Sequence, residues 1–338
     1  MVTTAGVLPV FLTGALSVQM RQELRFSTSG LGGAIASFFA ASAATSMLAG
    51  KMAEVLGPTR AMRIACGASA LSSLGIASIA GSWGSLLVLL ALGGSANAFA
   101  QPSTNLLLAR TIPVHRQGLA FGMKQGAIPL ATLMGGLAVP IVALTVGWRW
   151  AFAGAAVLGV VAGIVLPKLE RGTLRVEDLQ ERQPKSDVGF GPLVVLGVGA
   201  GLGAAAAGSL GGFLVASGVA SGLSKSAAGL LLAGGSTVNF ATRMATGYAA
   251  DRRSGGHFRS VSVMLVLGAG GYALLSTGGS FLFVLGSLIA FGAGWGWPSV
   301  FHYAVVWNNP TAPGAATGIT QTGVYVGGFS GPMIFGAL

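Results

Sequence analysis

The chain is a succession of long apolar stretches, with charge confined almost entirely to the gaps between them. Only 8% of its 338 residues are charged, 19 Lys+Arg and 8 Asp+Glu, whereas a soluble domain carries about 25%. A soluble surface of this size cannot be covered with so little charge, so the chain needs lipid around it. A spanning helix takes about 20 largely apolar residues. Eleven segments read as spans: 4–20, 31–55, 61–80, 86–108, 118–144, 150–166, 188–215, 227–249, 261–277, 281–307 and 314–338. The expected fold class is all-α, a polytopic membrane bundle. Glycine contributes 56 residues, against a usual share of about 7%, and small residues let membrane helices approach closely.

The same inventory excludes several functions. The lone Cys66 lies in an apolar run, forms no intrachain disulfide and reads as a small buried hydrophobe. His115, His257 and His302 are scattered, with no acidic partner in the same span, so neither a metal site nor a nucleophile–base set is expected. No phosphate-binding Gly-Lys-Ser/Thr loop is present, and Gly199 to Gly203 lies within a span with no strand before it. No cofactor is expected, and the protein is not expected to be an enzyme. The net charge of +11 forms no dense tract, which argues against a nucleic-acid partner. The first twenty residues carry no basic n-region and read as a span rather than a signal peptide.

Basic residues alternate between loops. Those after spans 2, 4, 6 and 8, with their flanking helix ends, hold 13 Lys and Arg, and the opposite loops hold only Arg21, Arg25, Arg149 and Lys225. Positive loops stay inside. The N-terminus is therefore expected in the cytoplasm and the protein in a bacterial inner membrane.

The chain also repeats itself. A shift of 196 residues lays Pro102-Ser103 on Pro298-Ser299, Gly118 on Gly314, Gly122 on Gly318 and Gln125 on Gln321. A shift of 197 lays Gly50 to Glu54 on Gly247 to Asp251. Six spans separate the copies, so matching helices run in the same direction and the halves are parallel repeats. The expected organisation is a bundle over 1–166, a cytoplasmic linker over 167–187 and a second bundle of five spans over 188–338.

Gly247-Tyr248-Ala249-Ala250-Asp251-Arg252-Arg253-Ser254-Gly255 resembles the signature between spans 8 and 9 of the major facilitator superfamily. The copy from Gly50 to Arg60 is similar but has Glu54 for the usual Asp, Val55 for the usual Arg, and Pro58 within its basic end. Gly122, Gly126, Gly135, Gly136 and Pro140 are similar to that family's span 5, and Gly147 to Phe152 to its span 6. The resemblance implies a two-bundle secondary transporter working by alternating access, here lacking a twelfth span and monomeric. Its partners would be a small-molecule substrate, the lipid bilayer and a coupling ion of unassigned identity. It also implies gate roles for Gly50, Glu54, Arg60, Gly247, Asp251, Arg252 and Arg253. The physical basis is a carboxylate facing the positive N-terminus of a helix in the opposite half. Pseudo-symmetry would set Glu54 against span 11 near Gly314, and Asp251 against span 5 near Gly118.

Candidate cavity residues lie in spans 4, 5, 8, 10 and 11. Lys124 sits about two turns inside span 5, roughly 9 Å at 1.5 Å per residue, where an ammonium either meets a partner or snorkels to the interface. Arg243 in span 8 either braces the bundle or meets a substrate anion. None of the eight acids lies mid-span, which argues against a cationic-drug/proton antiporter and favours an anionic or neutral organic solute. Asn97, Gln101 and Asn105 in span 4, Gln125 in span 5 and Gln321 in span 11 are polar candidates. Trp295 and Trp297 lie too deep for an interfacial belt, and either stack on a solute or pack; His302 either takes a proton or is a hydrogen-bonded structural residue. Pro102 and Pro298 are each expected to kink their spans. The competing readings are a multidrug-type efflux pump and a non-transporting sensor on the same scaffold.

Overall fold

The computed structural model describes residues 1–112, 116–166, 188–253, 255–277, 279–309 and 313–338. Every regular element among them is helical: α1 (Val2–Ala15), α2 (Ser17–Leu24), α3 (Thr28–Leu56), α4 (Pro58–Ser78), α5 (Trp83–Thr111), α6 (Gln117–Gln125), α7 (Ala127–Ala138), α8 (Trp148–Val165), α9 (Phe190–Ala220), α10 (Lys225–Asp251), α11 (His257–Ser276), α12 (Ser280–Ile289), α13 (Pro298–Trp307) and α14 (Pro313–Ala337). Lipid offers no hydrogen bonds, so each backbone group must be satisfied within its own segment, and helices are the way to do so without a closed barrel. Start signals are local. Ser27 and Ser224 accept from Gly30 N and Ala227 N at the heads of α3 and α10, and Ser82 with Ser85 forms a capping box on α5.

The described helices form eleven rods, matching the eleven apolar segments, but three rods are broken. α1 and α2 meet at a 72° bend. Span 5 divides into α6, α7 and a π-helical turn at Val139–Ala143; span 10 divides into α12, a π-helical turn at Ala290–Gly294, and α13. The two repeat-mate prolines sit differently in their helices. Pro298 opens α13 after the break, whereas Pro102 lies inside an uninterrupted α5. A proline inside a helix removes one hydrogen bond, whereas one at its first turn removes none that the helix would make.

Six helical runs are long and apolar enough to cross a membrane by themselves, seven with the bent α1–α2 pair. α4 and α10 read as less apolar because their buried faces hold Ser69, Ser72 and Ser73, and Ser236, Asn239 and Arg243. The outward faces are apolar instead. Val157, Ile164, Val198, Leu202 and Val266 are all exposed, the pattern of a surface facing hydrocarbon.

Contacts run both within and between the first eight helices and the last six. α4 packs on α5 and α8 in the first, and α11 packs on the segments of span 10 in the second. The halves meet along α6 and α7 against α10, α3 against α14, and α1 against α9. Glycine makes the first of these contacts possible. A Cβ built on Gly136 would lie 2.6 Å from Gly229 O, and one on Gly229 would lie 2.7 Å from Val139 Cβ. The two backbones touch, and no larger residue fits.

That contact makes a paired prediction. Gly229→Leu should destabilise the detergent-solubilised protein by at least the ~1–3 kcal/mol usual for overpacking. Gly234→Leu on the exposed face of the same helix, where a Cβ meets nothing within 4 Å, should leave thermal unfolding nearly unchanged. Equal losses in both variants would contradict the close-packing account.

Candidate functional site

One face of α10 organises the interface between the halves. Gly229, Ser236, Asn239, Arg243, Gly247 and Asp251 follow one another at helical spacing along it. At the end of the bundle carrying the basic loops, both Asp251 carboxylate oxygens accept from the head of α6, Gly118 N and Leu119 N, each at 2.8 Å. Two charge-assisted bonds at a helix N-terminus satisfy orphan amides and oppose the positive end of the dipole. Gly247 and Gly122 allow the approach, since a Cβ on Gly247 would lie 2.9 Å from Gly118 O.

Two turns further in, Arg243 is wholly buried. Its Nε donates to Asn239 Oδ1 (2.8 Å), Nη1 to Gln125 O (2.8 Å) and Nη2 to Trp295 O (2.7 Å). Gln125 O is available because its helical partner four residues on is Pro129, which has no N–H. Trp295 O lies in the turn where span 10 breaks, and Asn239 Nδ2 donates to Phe291 O in the π-helical turn before it. Among the described residues, carbonyl dipoles rather than a carboxylate meet this cation. Arg243 thus joins α6 of one half to α10 and span 10 of the other.

Above this brace lies a cavity of about 100 Å³ between the halves. Asn97, Gln101, Gln125, His302 and Gln321 line its polar side; Phe11, Phe39, Trp295, Trp297 and Tyr325 line its aromatic side. A polar chain runs into it from Lys124, whose ammonium donates to Gln101 Oε1. Gln101 Nε2 approaches Asn97 Oδ1 at 3.5 Å, and Asn97 Nδ2 donates to Ser42 Oγ at 3.3 Å. His302 places Nδ1 2.6 Å from Pro298 O and 3.2 Å from Gln125 Nε2, and Nε2 3.0 Å from Gln321 Oε1. Trp297 is buried with its indole Nε1 unpaired, and Trp295 packs against Phe11 and Phe291. Neither described acid, Glu23 or Asp251, lines the cavity.

The structure therefore gathers Asn97, Gln101, Gln125, Trp295, Trp297, His302 and Gln321 around one cavity. Lys124 reaches it through Gln101, and Arg243 lies beneath it. Of the gate residues, Arg252 lies over the Tyr248 ring of its own half at 4.2 Å, Arg253 reaches Ser260, and Arg60 is exposed. Gly50 and the side chains of Glu54 and Asn105 lie outside the described residues, as do His115 and the linker over 167–187. Sequence reasoning missed Ser42 and Tyr325, which look like ordinary span residues until α3 and α14 place them. It also missed a clasp at the opposite end, where Arg149 bonds Glu23 at 2.5 Å and caps α4 through Ala77 O and Ala80 O, while Trp148 Nε1 donates to Glu23 at 2.8 Å. The Arg149 hydrogen bond, with that from Trp148, holds the Glu23 carboxyl below the usual carboxylate range.

The Asp251 contact is testable. Asp251→Asn keeps one acceptor and loses the charge, so the α6–α10 contact should weaken by about 0.3–2 kcal/mol. Reagents should then reach cysteines placed along the head of α6 more readily. An unchanged labelling rate would remove the role assigned to this contact.

Comparison with known proteins agrees with this architecture. The model of the Major Facilitator Superfamily matches residues 3–332. An uncharacterized MFS-type transporter, Rv1250, of Mycobacterium tuberculosis is 29% identical over 120 residues, which are 36% of this chain and 20% of that protein. The chain's match thus spans about a fifth of the length of this curated relative. Among solved structures, a bacterial homologue of the human lysosomal transporter Spinster, in an inward-facing and occupied conformation, superposes with a TM-score of 0.72 at 16% identity, over 99% of this chain and 79% of the other. A D-xylose–proton symporter gives 0.70 at 16% identity over 99% and 88%. The human organic anion transporter MFSD10 gives 0.71 at 17% identity over 98% and 91%. With the family model spanning nearly the whole chain, the protein belongs to the major facilitator superfamily.

Proposed function

We propose that the protein moves a small organic solute, anionic or neutral, across a bacterial inner membrane by alternating access around the central cavity. The supporting observation is the charge balance of that cavity. Lys124 and Arg243 stand beside it, amides and indoles line it, and neither described carboxylate reaches it. Its volume of about 100 Å³ is below the ~300–1,000 Å³ of drug-sized sites, which favours a small solute over a bulky one. The two cations have different standing. Arg243 has each guanidinium nitrogen matched by protein oxygen, so it braces the halves; Lys124 is held by the neutral amide of Gln101 and supplies charge that a solute can use. The excess of Lys and Arg in alternate loops supports an N-terminus on the cytoplasmic face.

At an effective dielectric near 20, a unit anion about 4 Å from the ammonium gains roughly 4 kcal/mol before desolvation. Lys124→Gln in the full-length protein should therefore cut proteoliposome uptake of an anionic solute by about tenfold or more, each 1.4 kcal/mol being a factor of ten. Uptake of a neutral analogue should be spared. Equal transport of both solutes by the variant would exclude the anion reading.

A further inference from the structure

The central cavity is sorted along its length. α6 and α14 start at the end of the bundle that carries the basic loops, and span 10 finishes there. On α14, Gln321 stands one turn nearer that end than Tyr325, about 6 Å at 1.5 Å per residue. On α6, Gln125 precedes Ile128. Span 10 runs the other way, and its order is reversed: Trp295 and Trp297 come first and His302 follows. Three segments running in both directions therefore place amides and an imidazole toward the basic end and apolar side chains away from it. The polar end also receives Gln101, to which Lys124 donates. The opposite end is a set of rings seated on glycines. A Cβ on Gly211 would lie 2.5 Å from Trp295 Cη2 and 3.2 Å from Phe11 Cε1, and one on Gly328 would lie 3.1 Å from Phe39 Cδ1. The backbones of α9 and α14 thus fix where these rings lie before any solute arrives.

We propose that the solute is a small aromatic monocarboxylate, its ring among Phe11, Phe39, Trp295 and Tyr325 and its carboxylate toward Gln321, Gln101 and Lys124. The proposal rests on the transport reading above and names the class of solute for it. Charge decides one end. Gln321 Oε1 is engaged by His302 Nε2, which leaves the Gln321 amide N–H groups to donate. The Lys124 ammonium meets the neutral Gln101 amide. A carboxylate accepts from both kinds of donor, and its charge strengthens each bond. Shape decides the other end. An aromatic ring gains edge-to-face or offset contacts with the rings of the wall, which an aliphatic body does not. A cavity of roughly 150 Å³ accepts benzene, so the 100 Å³ found here holds one ring and no fused system. A polyol does not fit this arrangement. Hydroxyls carried into the aromatic end would give up their hydrogen bonds to water without replacement.

The solute class can be read from binding alone. Isothermal titration calorimetry on the full-length protein in lipid nanodiscs should show saturable binding of benzoate. Cyclohexanecarboxylate keeps the charge and loses the flat ring, so it should bind about fivefold more weakly. Benzamide keeps the ring and loses the charge, and should bind about tenfold more weakly. Inositol should not bind. Phe39→Leu and Tyr325→Leu should each weaken benzoate about fivefold while changing cyclohexanecarboxylate by less than about twofold. A merely damaged fold would instead weaken both ligands alike. No saturable benzoate binding, or cyclohexanecarboxylate binding as tightly as benzoate, would overturn the aromatic assignment; so would equal losses for both ligands in the two variants. Benzoate binding without uptake into proteoliposomes would remove the transport reading and leave the ligand class standing. Uptake of acetate equal to that of benzoate would keep transport and overturn the ligand class.

Discussion

The Arg243 guanidinium is the interaction on which the centre of this molecule depends. A cation in the hydrocarbon region is costly unless its N–H groups are met, and here they are met by oxygen that two irregular helices set free. Pro129 leaves Gln125 O without its helical partner, and the break in span 10 presents Trp295 O to the guanidinium and Phe291 O to Asn239, whose own Oδ1 accepts from Arg243 Nε. Each irregularity would be unfavourable alone, with an orphan carbonyl in one place and an unsolvated charge in another. Brought together they satisfy one another. The same bonds fix how α6, α10 and span 10 sit around the cavity, because Gln125 and Trp295 belong to both the brace and its lining.

Around that brace, α10 behaves as an axle. Its interfacial stripe runs from the glycine contact with α7, through the Thr132–Ser236 bond at 2.6 Å and the buried arginine, to the carboxylate at the head of α6. Packing dominates at one end of the stripe and electrostatics at the other. In lipid this division is reasonable: apolar burial does not drive helices together there, so close van der Waals contact and hydrogen bonds must do so. The α3–α14 contact uses the same means, with Ser29 Oγ donating to Gly336 O at 2.8 Å.

The two halves are repeats in sequence, yet the site they enclose is not symmetric. Gln125 and Gln321 are mates, but Lys124 aligns with Thr320, His302 with Leu106, and Arg243 with Ser46. All three ionisable groups of the centre are thus single-copy additions to a duplicated frame. Pro102 and Pro298 are also mates, and only the second marks a break. The unpaired groups give the cavity a polarity that a symmetric pair of bundles would cancel.

Much of this was legible in the residues alone. Apolar length and the scarcity of charge determine that the chain is a bundle of about eleven membrane helices, because lipid leaves the backbone no other economical way to bond. The 196–197 residue offset and the Gly247–Asp251 motif point to paired halves and to the carboxylate at their seam. Lys124, Arg243 and His302 stood out because a titratable group within a span is rare. What each of them touches was decided by tertiary structure. Nothing local to Arg243 says that Pro129 has freed a carbonyl for it, since those residues are more than a hundred positions apart. Nothing near Trp148 and Arg149 says that they clasp Glu23. Ser42 and Tyr325 carry no sequence signal until α3 sets the one against Asn97 and α14 brings the other to the cavity. Composition and periodicity are summed along the chain and survive without knowledge of the fold, whereas the hydrogen-bond partner of a buried polar group depends on which helix lies across from it.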